Sequence, residues 1–159
     1  MKKTTLVRRI IDALNAEVEV HSRSARNARA EATDEQSRSE NKYDTRGLEA
    51  SYLARGQSKL VGDLRSSIVQ FETLKVRAFT ETDPVDIGAY VVVSGPDGDS
   101  AYFIGPTAGG TEVMHERREV LVLTPQSPLG QQLMGKRAGD RIELPGGPKK
   151  ILGKIVSVA

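Results

Sequence analysis

Glycine and proline are spread so unevenly along this chain that they divide it in two. All seven prolines lie at or after Pro84, and of fifteen glycines only Gly47, Gly56 and Gly62 come earlier. Proline lacks the backbone N–H and glycine is costly to order, so both interrupt helices. The first half therefore predicts long helices, and the second predicts short strands punctuated by turns. The boundary falls near Ala78, giving a helical domain over 1–78 and a strand-rich domain over 79–159. Charge divides at the same point: residues 1–78 hold 15 Lys and Arg against 11 Asp and Glu, and residues 79–159 hold 8 against 10. The whole chain is formally +2, too balanced for a protein whose main partner is bare duplex DNA.

Other classes fall away on composition. There is no cysteine, which excludes disulfides, thiolate zinc sites and a cysteine nucleophile. Four tyrosines, three phenylalanines and no tryptophan give poor material for a base-stacking platform. Met1-Lys2-Lys3 has the look of a signal-peptide start, but Arg8, Arg9 and Asp12 interrupt the apolar core that should follow. No run approaches the roughly 18 apolar residues of a membrane span, so a soluble cytoplasmic protein is expected.

In the first half, Val7, Ile11, Leu14, Val18, His21, Ala25, Ala28 and Ala32 recur at spacings of four and three, which aligns them on one helical stripe. A second stripe is expected through Ala50, Leu53, Leu60, Leu64, Ile68 and Phe71. Each is bulky at one end and small at the other. Matching large to large requires the helices to run antiparallel, as a monomeric hairpin with its narrow end between Ala32 and Tyr43; a parallel dimer is the alternative. Thr33-Asp34-Glu35-Gln36 and Ser37-Arg38-Ser39-Glu40 both fit the capping-box pattern that opens a helix.

The second half predicts strands at Ala89–Ser94, Ala101–Ile104, Val120–Thr124, Arg141–Leu144 and Ile151–Val158. Between them Ser127 reads as the N-cap of one short helix, with Pro128 at its first position. The sum is an α+β chain, a helical hairpin followed by a small antiparallel sheet wrapped on one helix.

Few residues carry chemistry. His21 and His115 are the only histidines and fall in different halves, which argues against a transition-metal site and against a Ser-His-Asp triad. Gly105–Gly110 and Gly146–Lys150 lack phosphate-loop spacing and read as turns. What remains is Asp34, Glu35, Glu40 and Asp44, carboxylates clustered between the two helices. Such a group suits a hard divalent cation such as Mg2+, or simply supplies acids to a helix N-terminus. Arg23, Arg26 and Arg29 recur every third residue before them, either complementing the end of the first helix or facing RNA phosphates.

Ser127-Pro128-Leu129-Gly130, followed by Leu133-Met134-Gly135-Lys136-Arg137-Ala138-Gly139-Asp140, resembles the C-terminal signature of the bacterial GreA/GreB transcription elongation factors. Gly88–Val93 and Tyr102–Pro106 resemble earlier strands of the same domain, and Glu40-Asn41-Lys42-Tyr43 resembles the family's hairpin tip. The resemblance implies an FKBP-like second domain over 79–159 that docks on RNA polymerase through Ser127, Pro128, Leu129, Gly130 and Leu133. It also implies a coiled coil that enters the polymerase secondary channel and meets nascent RNA. Tip acids would then act beside the polymerase's Mg2+, with cleavage of backtracked RNA occurring in the polymerase rather than in this chain. Ser37 stands where the family carries an acid, so Glu40 alone matches directly and Asp34, Glu35 or Asp44 would have to supply the second carboxylate. Occupation of the channel without cleavage is the alternative.

Overall fold

The computed structural model describes residues 2–33 and 46–159. Helices α1 (Lys3–Thr33) and α2 (Arg46–Glu72) are followed by strands β1 (Tyr90–Gly95), β2 (Gly98–Ile104), β3 (Glu112–His115) and β4 (Arg118–Leu123). Helix α3 (Pro128–Leu133) and strands β5 (Arg141–Leu144) and β6 (Ile151–Val158) complete the chain. The contacts group these elements into two compact units, one of Met1–Ala13 with Val69–Ala159 and one of Leu14–Ile68. The α+β architecture is the one expected, a helical pair followed by a mostly antiparallel sheet and one short helix.

The Leu14–Ile68 unit is the helical pair. His21 Nδ1 lies 2.7 Å from Gln57 Oε1, to which it donates, and Arg29 Nη2 donates to Ser58 Oγ at 2.9 Å. Thr33, at the end of α1, lines the same groove as Ser51 and Ala54 near the start of α2, so the helices run antiparallel. Leu14, Ala25 and Ala28 are buried and His21 is half-buried, as the first stripe predicts. The second stripe is corrected. Its inward positions are Ala50, Ala54, Gln57, Val61, Leu64 and Ile68, whereas Leu53 and Leu60 are 55% and 41% exposed. The spacing of three and four, counted back from Ile68 and Leu64, reaches Val61 and then Gln57. Leu60 and Leu53 are each one residue, about 100°, off that line. Apolarity pointed to the leucines; helical phase selects smaller or polar neighbours. Thr33, one of the expected cap positions, instead closes α1, and its hydroxyl donates to the carbonyls of Arg29 and Ala30.

The other unit is built on a six-stranded sheet of order β3-β4-β2-β1-β6-β5. β1 and β2 pair from Tyr90↔Phe103 to Gly95↔Gly98, joined by Pro96-Asp97, and Gly98, the first residue after that turn, has φ +112°, open to glycine at little cost. β3, unforeseen in the sequence, pairs with β4 through a turn in which Glu116 and Arg117 have φ of +49° and +65°. The chain lays β3 at the outer edge first and returns through β4 into the lane beside β2. One pairing, β2 with β4, is therefore parallel where an all-antiparallel sheet was expected.

Central strand β1 is buried on both faces over Tyr90–Val93, so its sequence is a continuous apolar run rather than an alternation. On one face Val91, Val93, Tyr102, Ile104 and Ile155 join Leu129 and Leu133 of α3 in the main core. On the other, Phe103 meets Phe71 of α2 with ring centroids 6.4 Å apart, and Arg9 of α1 donates to the Met114 carbonyl. Lys3 belongs to the same unit. Its Nζ donates to the carbonyls of Arg77 and Gly88 and sits 4.5 Å from the centre of the Phe79 ring. Burial, and secondarily the charge of Arg77, lowers its pKa to about 8.

Candidate functional site

The Ser127–Asp140 segment is the part of the sequence with the most specific pattern, and nearly every residue in it has a structural duty. Ser127 is extended, with φ −66° and ψ 152°, and its Oγ accepts from Gly130 N at 3.1 Å while donating to Thr124 O at 2.8 Å. It is the N-cap predicted, and the two bonds fix the entry of α3 as well as its first turn. Pro128 follows at the start of the helix, where its missing N–H costs nothing. Leu129 and Leu133 point into the core, and Leu133 is fully buried. A β-carbon on Gly130 would lie 1.8 Å from the Thr124 carbonyl oxygen, so only glycine lets the helix approach that backbone.

The rest of the segment is turn chemistry. Gly135 and Gly139 have φ of +77° and +93°. Asp140 Oδ2 accepts from Arg137 N at 2.8 Å, the Arg137 guanidinium reaches Thr82 O at 2.8 Å, and Gly139 N donates to Ile155 O at 2.7 Å. Gln132, which sequence reasoning passed over, pairs its side-chain amide with the backbone of edge strand β5. Its Nε2 donates to Glu143 O at 2.9 Å and its Oε1 accepts from Glu143 N at 2.7 Å. The amide thereby occupies hydrogen-bonding positions that a further strand would take.

Among the residues expected to dock on polymerase, Leu129, Gly130 and Leu133 are buried, Ser127 is half-buried and committed to its cap, and Pro128 is exposed. The solvent-facing neighbours brought together with them are Gln126 and Gln131, which also bond to each other through Gln131 Nε2 and Gln126 O.

The expected basic flank lies on α1. Arg23 and Arg26 are largely exposed and share Glu19, each at 3.7 Å, while Arg29 crosses to Ser58 on α2. Exposed pairs of this length contribute little to stability, so these arginines hold their charge near solvent. Arg55 of α2, unremarked in the sequence, lines a groove with Arg29. The candidate acids Asp34, Glu35, Glu40 and Asp44 lie outside the described residues, as does the Mg2+ expectation that rests on them. Among the described residues no cluster of three His, Asp or Glu side chains is placed to hold a metal. Nor is any helix among them long and apolar enough to cross a membrane.

No protein-family model matches the chain, and no curated relative matches it. Among solved structures it is similar to the transcription factor Gfh1, at 19% identity over 96% of this chain and 92% of that one, with a TM-score of 0.40. It is also similar to GreA factor homolog 1 of Thermus thermophilus, at 19% identity over 94% of each chain and a TM-score of 0.37. A third is the GreA/GreB elongation factor from Nitrosomonas europaea, at 20% identity over 70% of this chain and 93% of that one, again with a TM-score of 0.37. These neighbours are transcription factors of the GreA/GreB kind.

Proposed function

We propose that this chain is a GreA/GreB-like transcription elongation factor that binds RNA polymerase and is not itself an enzyme. The reading rests on the Ser127–Asp140 signature, in which serine, proline, leucine and glycine occur in the order that a tightly capped, closely packed helix requires. In this reading the sheet unit docks on the polymerase through the surface around α3. The buried Leu129 and Leu133 then shape that surface from beneath, and exposed side chains such as Pro128 and Gln131 make the contact. The helical pair enters the secondary channel, Arg23, Arg26 and Arg29 face RNA phosphates, and Glu40 with Asp44, Asp34 or Glu35 lies toward the polymerase's Mg2+.

A second reading has one observation in its favour. Ser37 occupies the position of a family acid, and a single donated carboxylate holds a second metal weakly, so the factor would occupy the channel without promoting cleavage. One experiment separates them. The protein is added with Mg2+ to a stalled, backtracked elongation complex and the RNA is sized, alongside a competition assay against an authentic cleavage factor. Shortened RNA that depends on Glu40 supports the first reading. Displacement without shortening supports the second, and failure to bind polymerase at all removes both.

A further inference from the structure

We propose that the sheet face carrying the main core, where it runs out over β2, β4 and β3, is a docking groove for an extended basic segment of another protein. In that segment lysine or arginine alternates with apolar residues. The groove consists of two adjoining hollows of about 310 Å³ and about 160 Å³ that share Ser100 and Tyr102. None of its lining residues belongs to the Ser127–Asp140 segment, so the inference goes beyond the polymerase reading and does not depend on it.

The groove exists because the helix that covers this face is short. Six residues make α3 about 9 Å long, whereas six strands span about 24 Å. α3 packs beside β5, which leaves the β4 and β3 side of the same face uncovered. The register there interleaves apolar and acidic side chains. Leu121 of β4 lies between Tyr102 of β2 and Glu112 of β3, and Glu119 of β4 lies beside Met114, which is 54% exposed. Asp99 and Asp97 continue the acidic lining toward the turn between β1 and β2. These four carboxylates are exposed and have no ion pair or hydrogen bond among the described residues, and Arg118 is the one cation among the described lining residues. Such a field selects a positively charged partner.

Tyr102 distinguishes this groove from a merely solvated acidic surface. It is 8% exposed, and a tyrosine so deeply buried ordinarily finds a partner for its hydroxyl. This hydroxyl has none among the described residues and is not enclosed, so it opens on the groove where the two hollows meet. It offers a donor and an acceptor to the backbone of an incoming segment. In an extended segment, residues on one face recur about every 7 Å, so alternate lysines reach Glu112, Glu119 and Asp99 while the apolar residues between them rest on Tyr102 and Leu121.

The test uses the full chain and a fluorescein-labelled hexapeptide of alternating lysine and valine, followed by anisotropy at physiological salt. Saturable binding is expected, weakened roughly tenfold in Glu112→Gln combined with Glu119→Gln and about threefold in Tyr102→Phe, but unchanged in Glu81→Gln. All these changes are nearly isosteric, and circular dichroism establishes that each variant is folded. Amide resonance shifts are expected within 97–102 and 112–121. The same peptide with glutamate in place of lysine should not bind, and spermine should displace the labelled peptide far less well than unlabelled peptide does. Absence of saturable binding, or binding that survives the double glutamate variant, would overturn the assignment. So would equal displacement by spermine, an equal loss in Glu81→Gln, or no loss in Tyr102→Phe, since each reduces the groove to surface charge.

Discussion

Gly130→Ala offers a test in which two ordinary arguments predict opposite signs. Gly130 lies inside α3, and in a helix interior alanine is favoured over glycine by about 1 kcal/mol. The structure predicts the reverse. The added carbon would sit 1.8 Å from Thr124 O, 2.9 Å from the Thr124 carbonyl carbon and 2.6 Å from Ser127 Oγ. The first two are main-chain atoms, so no rotamer change relieves the contact and the start of α3 must move away from the Thr124–Ser127 turn. Overpacking of this kind costs about 1–3 kcal/mol, and backbone obstruction places it in the upper part of that range. Movement also breaks the Ser127 cap, worth about 1 kcal/mol. Set against the propensity gain, a net loss of about 2–3 kcal/mol follows. For a unit of this size that is a fall of roughly 10–20 °C in Tm. Urea unfolding of the full chain, followed by near-ultraviolet circular dichroism, measures the change. Gly62→Ala is the control, because nothing lies within 4 Å of its added carbon, and it is expected to stabilise α2 by up to about 1 kcal/mol. If Gly130→Ala is neutral or stabilising, the close approach of α3 to Thr124 is wrong and so is the physical account of the signature's glycine.

Three further predictions test other parts of the fold. Lys3, with a pKa lowered to about 8 in the fold, binds fewer protons than the unfolded chain between pH 8 and its ordinary value of 10.5. Its contribution to stability therefore rises with pH across that window, and the difference between wild type and Lys3→Met in pH-dependent urea unfolding should show this rise; a flat difference would refute it. His115 is 3% exposed and neither ring nitrogen has a hydrogen-bond partner among the described residues, Glu116 lying 3.7 Å away. His115→Leu is accordingly expected to raise stability by about 1 kcal/mol, since an unsatisfied buried polar group is removed, and a loss of stability would reveal a role for the imidazole. In α2, Leu53→Ala and Leu60→Ala should change stability by no more than about 0.5 kcal/mol, whereas Ala54→Leu should cost about 1–3 kcal/mol; the opposite order by thermal melts would restore the leucine stripe.

Much of this architecture was legible because it depends on local signals. The change from long helices to short strands, the first helical stripe and the Ser127-Pro128 cap all follow from residues within a turn or two of one another. What escaped depended on distant partners. Leu53 and Leu60 are good apolar candidates by themselves, and only the phase imposed by Leu64 and Ile68 excludes them. β3 is a four-residue strand in which Val113 and His115 turn inward, too short to stand out, and its turn places non-glycine residues at positive φ. The parallel β2–β4 pairing has no local signature at all, since it is set by which lane of the sheet the chain fills first. Gln132 was invisible for the same reason: its partner, Glu143, lies on another element.

The signature itself carries a consequence for where function resides. Its cap, its two core leucines, its close-packed glycine and its positive-φ glycines are each required by the geometry of the sheet unit. A match to such a segment therefore reports a way of packing α3 more directly than it reports a contact surface. Substituting those residues tests the fold before it tests binding, and loss of polymerase binding in Leu133→Ala would say little about docking. The informative positions are those with a charge or amide and little structural duty. On the helical pair these are Arg23 and Arg26, exposed and sharing one glutamate; beside α3 they are Gln126 and Gln131, both exposed, with the Gln131 side-chain amide donating to the Gln126 carbonyl. Changes there leave the packing intact, so any effect on polymerase or RNA belongs to the contact itself.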